Sequence, residues 1–231
     1  MENNNKQTIS IPVAIVIAGV LIMISILATK TGGEKAKTLS EQVGVNKEKF
    51  AQCMKEINLD TLLADTTASA DKAMSALPED QRGTPYSVII GKNGAKAEIK
   101  GAQKKETVDK LIAEVKAGKV TNEYKGEIPA YQDGEHIIGN PDAPIMVIEY
   151  SDLECPYCKR FGGVMKEVVA ESNGDVAWVY RHWVVHQGAI PKTGAAECVA
   201  RLKGNEAFWK YIDLVFGLMK TEEDTSATDI L

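Results

Sequence analysis

The chain has 231 residues, 44% of them apolar and 26% charged, and carries a net charge of −5 at neutral pH. That leaves room for one domain with appendages, and it excludes the basic surplus that nucleic-acid binding needs. Four cysteines are too few to staple a scaffold, so the core must come from apolar packing and the sulfurs must serve specific purposes.

Residues 1–8 are polar. Ile9 to Ala28 then runs without a charge, and about 20 residues at about 1.5 Å each span a bilayer core of about 30 Å. Ser10 suits the start of such a helix and Pro12 its first turn. A cleaved signal peptide competes with this reading, but the run is long for one and Leu27-Ala28-Thr29-Lys30 is a poor cleavage site. An uncleaved anchor over 9–28 is expected. Lys6 precedes the run while Lys30, Lys35 and Lys37 follow it, so the positive-inside rule alone does not place the main domain outside the cell. The cysteine chemistry below does.

A short polar linker, 29–38, leads to Leu39–Ile57, where Val43, Phe50, Cys53, Met54 and Ile57 recur at helical spacing. A second helix is expected from Leu59 to Leu77, ended by Pro78. Gly83-Thr84-Pro85 opens a β-branched strand through Gly91, and Asn93-Gly94 signals a two-residue hairpin into a return strand over Ala95–Lys100. Lys105–Lys116 is an amphipathic helix stopped by Gly118. Residues 119–135 read as a linker and His136–Pro144 as a loop. Ile145–Tyr150 is a strand, Pro156–Glu171 a helix, Asp175–Val185 a strand, and Thr193–Lys203 and Asn205–Lys220 are helices.

Between the strand at 145–150 and the helix at 156–171 stand Cys155-Pro156-Tyr157-Cys158. Only a thiolate attacks a disulfide, and a cysteine at a helix N-terminus gains one through the unpaired N–H groups and the dipole there. Cys155 is therefore the expected exposed nucleophile and Cys158, one turn in, the resolving thiol. Glu149 breaks an apolar strand six residues before Cys155. If buried it can carry protons for Cys158; if it faces solvent it is an ordinary surface carboxylate. A zinc site at the pair would need two further ligands, and only His182 and His186 are near. Both are read as structural or surface groups, and no metal is expected.

Residues 135–220 resemble the first half of DsbA-type thiol–disulfide oxidoreductases of the membrane-anchored bacterial group. The matching stretches are Gly139-Asn-Pro-Asp-Ala-Pro144, Glu149-Tyr-Ser-Asp152, Cys155-Pro-Tyr-Cys158, and the helical stretches Ala195-Ala-Glu-Cys198 and Ala207-Phe-Trp-Lys-Tyr211. Residues 39–118 resemble the second half, with Phe50-Ala-Gln-Cys53, Gly83-Thr84-Pro85, a hairpin and a helix after Gly101-Ala102-Gln103. The resemblance implies an α/β thioredoxin-like fold with an inserted helical subdomain. It implies a cis Pro85 against the active disulfide, and substrate contacts at Thr84, Pro85, Pro156 and Tyr157. His182 is followed by Val184 and Val185 where the family usually has a proline.

The halves stand in reverse of the family's order, 39–118 before 136–231. The CxxC half alone offers two strands, too few for a stable sheet. A circular permutant joined through 119–135 is the expected arrangement. Halves of different copies cut at a wrong gene boundary, or halves exchanged between chains, are the alternatives. If the permutation holds, Cys53 and Cys198 pair as a structural disulfide; otherwise they are two buried thiols. The function so implied is disulfide donation to reduced or misfolded extracytoplasmic proteins, without a cofactor, recharged by a membrane redox partner. An isomerase or reductase of the same fold, and a non-catalytic binding module using the Pro85 edge, are the alternatives.

Overall fold

The computed structural model describes residues 36–121 and 123–219. The expected anchor over 9–28 lies outside the described residues, and no helix among those described is long and apolar enough to cross a membrane.

The helix expected over 39–57 is two helices. Helix α1 (Leu39–Gln42) starts from a Thr38–Glu41 capping box, and α2 (Lys47–Glu56) starts from Asn46, whose side chain accepts from the Lys49 N–H at 3.0 Å. Between them Gly44 takes a φ of 79°, which only glycine adopts without strain. Helix α3 (Leu59–Ala73) ends before Pro78 is reached, and a 3-10 turn covers Glu79–Gln81. Strands β1 (Tyr86–Gly91) and β2 (Lys96–Lys100) form the hairpin. Its turn is longer than two residues because Asn93 is used elsewhere. Its amide donates to Val115 O at 2.8 Å and its oxygen accepts from the Ala95 N–H at 3.0 Å. Helix α4 (Lys105–Ala117) stops at Gly118, which is left-handed at φ 67°.

The loop expected over 136–144 begins as a strand, β3 (His136–Ile138). Strand β4 (Ile145–Ser151), helix α5 (Pro156–Glu171), strand β5 (Val176–His182), helix α6 (Ala189–Lys203) and helix α7 (Asn205–Gly217) complete the described order. The five strands form one sheet in the order β2-β1-β4-β5-β3, with β4 and β5 parallel and the other pairs antiparallel. The two segments of the chain thus share one sheet, joined where β1 lies against β4.

Strand alternation sorts the core onto two faces. On one, Ile89, Ile99, Val147, Trp178 and Tyr180 meet Val108 and Val115 of α4, Phe161 and Met165 of α5, and the α6–α7 pair. On the other, Val88, Ile148, Tyr150 and Val179 meet Ala70, Ala73 and Met74 at the end of α3 and Tyr124. The 119–135 linker is part of that second layer. Tyr124 donates its hydroxyl to Ala73 O at 2.7 Å, and Glu123 bridges Ala97 at the β2 edge. Arg181 holds Glu135 at 2.6 Å and reaches Pro129 O and Ala130 O.

Cys53 of α2 and Cys198 of α6 are disulfide-bonded across 145 residues of sequence. Closing so long a loop removes much unfolded-chain entropy, on the order of 2–5 kcal/mol of stability in practice. Replacing both by serine is expected to lower the unfolding free energy by that amount and to raise the urea m-value, because the unfolded chain without its cross-link exposes more surface; tryptophan fluorescence reads both. A loss under about 1 kcal/mol would show that packing alone holds α2 to α6.

Candidate active site

Strand β4 ends, the chain turns through Asp152–Glu154, and α5 begins with Pro156 as its first residue and Cys155 as its N-cap. Proline fits that position because its missing N–H would have no helical partner there. Pro156 and Tyr157 are exposed, whereas Cys158 is 1% accessible, and both cysteines are free thiols.

Cys155 is not the exposed nucleophile that its helix-end position implies: it is 3% accessible. The Thr84–Pro85 peptide, which is cis, lies against it, and the Cys155 thiol donates to Thr84 O at 3.4 Å. The sites expected at Thr84, Pro85 and the two cysteines therefore come together across the β1–β4 junction.

The two sulfurs are strongly unlike. Cys155 is lowered to about 6, foremost by a hydrogen bond from the Cys158 thiol, with burial opposing and the Thr84 side chain and the N–H groups of Tyr157 and Cys158 assisting. Cys158 is pushed far above the thiol range by burial, by its bond to Cys155 and by the Glu149 charge. At neutral pH the pair holds one proton on Cys158 and one negative charge at the helix end.

Glu149 is fully buried. Burial raises its carboxyl to about 8, the Cys155 charge adds to this, and the Ser151 and Trp178 side chains pull the other way. Trp178 donates its indole N–H to Oε2 at 2.9 Å, and the Ser151 hydroxyl is the carboxyl's other polar neighbour. The sheet register sets Glu149 between Ser87 of β1 and Tyr180 of β5, both buried with an unpartnered hydroxyl. A cavity of 160 Å3 opens beside them, lined by Glu149, Cys158, Gly162, Gly163, Lys166 and Tyr180 among others. It is large enough to hold water, and Glu149 and Cys158 both line it.

Three features escape the sequence. Asp152 is fully buried and ties the loop after β5 to the cysteine turn. Its Oδ2 accepts from the N–H groups of Val185 and His186 at 2.7 and 2.9 Å, its Oδ1 from Glu154 at 2.6 Å, and its own N–H reaches Cys158 Sγ at 3.5 Å. Trp178 is read only as a strand residue until Glu149 is seen below it. His182 and His186 part company: His186 is half-exposed beside Asp152, at 3.2 Å, while His182 is buried beside His136 and Glu197. No spacing in the sequence links His136 to Glu197. The third feature is the clustering of those two residues with His182.

A thioredoxin family model matches residues 131–230. The chain is 36% identical over 91 residues to the Na(+)/H(+) antiporter NhaA 1 of Mycolicibacterium gilvum, covering 38% of this chain and 14% of that protein. It is 33% identical over 107 residues to NhaA 3 of Salinispora tropica, covering 45% and 15%. The matched stretch is thus about a seventh of either transporter. The crystal structure of Pseudomonas aeruginosa DsbA2 is similar at 32% identity over 38% of this chain and 50% of that one, with a TM-score of 0.36. With the strand order above, the family match over that stretch gives a thioredoxin-like fold of mixed α/β class.

Two outcomes follow. Iodoacetamide should modify Cys155 with a half-maximal rate near pH 6, not the ordinary thiol value of about 8.5, and leave Cys158 untouched in the native protein; mass spectrometry of the modified peptides reads both. In the oxidised protein, where the cysteines do not titrate, unfolded Glu149 loses its proton near 4.5 and folded Glu149 at a higher pH, because its burial persists although the Cys155 charge does not. Between those values the folded state binds more protons, so stability falls as pH rises, by at most about 1.4 kcal/mol per pH unit, and is level above. Glu149→Gln should remove that fall in chemical-denaturation curves from pH 5 to 9; a slope identical to wild type would place the proton elsewhere.

Proposed function

We propose that this chain is a thiol–disulfide oxidoreductase that donates the Cys155–Cys158 disulfide to reduced proteins. The unequal sulfurs carry this reading. A stabilised Cys155 thiolate favours the reduced form of the pair, and a pair whose reduced form is favoured is an oxidant. That asymmetry supports donation over the reductase and isomerase alternatives of the same fold.

In the proposed cycle a client thiolate attacks Cys155 Sγ of the disulfide. A client–Cys155 bond forms, the Cys155–Cys158 bond breaks, and Cys158 departs with the electron pair. So basic a sulfur leaves poorly unless it receives a proton, and Glu149, which holds one near neutral pH, is placed to give it. A second client thiol then loses its proton and attacks the client sulfur of the mixed disulfide, releasing the Cys155 thiolate. The client loses two electrons and the cysteine pair gains them. A partner disulfide at the membrane takes them up again.

Thr84, Pro85, Pro156 and Tyr157 are read as the client surface. Tyr157 and Val185 are exposed apolar residues close to the sulfurs, Val185 through its bond to Asp152. The apolar run at 9–28 is read as the tether that holds this domain on the extracytoplasmic side of the cell membrane, consistent with the Cys53–Cys198 disulfide. The order of the halves is read as a circular permutation. Helices α1 and α7 pack together near the two ends of the described chain, and 119–135 bridges the segments in between.

The oxidised chain should oxidise a reduced two-cysteine peptide, with one peptide disulfide formed per cysteine pair consumed. Cys155→Ser should abolish this, and Cys158→Ser, with Cys155 first converted to its mixed disulfide with glutathione, should release glutathione to a one-cysteine peptide and give a Cys155–peptide mixed disulfide on non-reducing gels. Turnover surviving Cys155→Ser, or a midpoint potential as reducing as that of thioredoxin at about −270 mV, would refute donation.

A further inference from the structure

We infer that His136, His182 and Glu197 form a binding site for one divalent first-row transition-metal ion. The site is separate from the cysteines, and its evidence does not depend on their chemistry.

The three residues come from three elements. His136 lies on the edge strand β3, His182 on β5 and Glu197 on α6. Because β3 pairs with β5 with His136 opposite Tyr180, His136 and His182 share the sheet face that α6 covers. One ligand atom from each lies within 4.8 Å of the others. The two separations to Glu197 Oε1 are 2.8 Å from His136 Nε2 and 3.4 Å from His182 Nε2. Four ligands at about 2.0–2.1 Å from zinc stand roughly 3.3 Å apart, so small side-chain adjustments close the set around an ion.

An ordinary ion pair accounts for this cluster poorly. His182 is 2% accessible, and its Nε2 has only the Glu197 carboxylate, at 3.4 Å, as a polar partner. It faces an oxygen that His136 already occupies at the shorter distance, so one carboxylate oxygen is asked to serve two ring nitrogens. An ion between them uses the lone pairs of all three groups at once. Two imidazoles and a carboxylate suit zinc, cobalt, nickel or ferrous iron.

The surroundings are built for ligation. The His136 ring stacks on Phe208 with centroids 3.4 Å apart, which fixes its plane. Thr193 Oγ1, itself buried, stands 3.5 Å from His182 Nδ1 and can orient the tautomer. The cluster lines a cavity of 540 Å3 that leaves an open side for a fourth ligand. Asp65, Asp133 and Glu135 also line that cavity, and its one arginine, Arg181, is held by Glu135. The walls therefore favour a cation.

The test uses the full chain, with Cys155–Cys158 oxidised so that they cannot ligate, stripped with a chelator and titrated with Co2+ and then Zn2+. One Co2+ per chain is expected, with visible d–d bands, no thiolate charge-transfer band, and displacement by Zn2+. Glu197→Gln and His182→Asn should each weaken binding by at least about tenfold. No saturable binding below about 100 μM, or equal binding by both variants, overturns the proposal. Should a variant lose its far-UV circular dichroism, the wild-type chain still decides: Zn2+ should protect His136 from diethyl pyrocarbonate, read by peptide mass spectrometry. Equal modification with and without Zn2+ refutes the site. None of these readouts involves thiol exchange, so failure here leaves the oxidoreductase reading standing.

Discussion

Six residues of β1 lie antiparallel to β4, and the position of nearly every group near the sulfurs follows from that pairing. It places Ser87 opposite Glu149, and it brings the Thr84–Pro85 peptide, at the entry to β1, against Cys155. The first segment has only β1 and β2, too few strands to stand as a sheet, and the second has β3, β4 and β5. Pairing β1 with β4 completes the sheet and, in the same contact, covers Cys155 and buries Glu149.

Burial then makes the chemistry. The sulfurs and Glu149 span only ten positions of sequence, yet one thiol is drawn down, the other driven up, and a carboxyl is kept protonated to about pH 8. The local ingredients differ. Cys155 has the helix end and N–H donors; Cys158 and Glu149 have a low-dielectric interior, with the Asp152 N–H at Cys158 and the Trp178 indole at Glu149. A single turn of helix separates a stable anion from a group that cannot hold charge.

The cysteine turn was legible because its determinants are local. Proline after Cys155 and an apolar stripe behind it set the start and the covered face of α5, and Gly118 ended α4 by its left-handed backbone. What escaped is set by distant neighbours. Strand β3 has only three residues, none with a strong alternation, and exists because β5 offers it partners. Asp152 reads as a turn residue until the loop after β5 folds onto it. The break at Gly44 was hidden by apolar residues that keep helical spacing on both sides of it. His136 and Glu197 are 61 positions apart, and only the fold makes them neighbours.

The sheet's two borders are closed by different means. Along β3, Asn205 accepts from the Ile137 N–H at 3.1 Å and donates to its carbonyl at 2.7 Å, and the Trp209 indole adds a third bond at 3.2 Å. Along β2, Glu123 bridges Ala97 and the Tyr124 N–H takes Lys96 O. Open borders of this kind recruit other extended chains. A protein whose proposed clients are unfolded polypeptides would otherwise invite them to dock indiscriminately and seed aggregates. Under the proposed function, sealing both flanks would make contact with such chains selective and would leave the ground beside Thr84 and Cys155 as the place where an extended chain is met and let go.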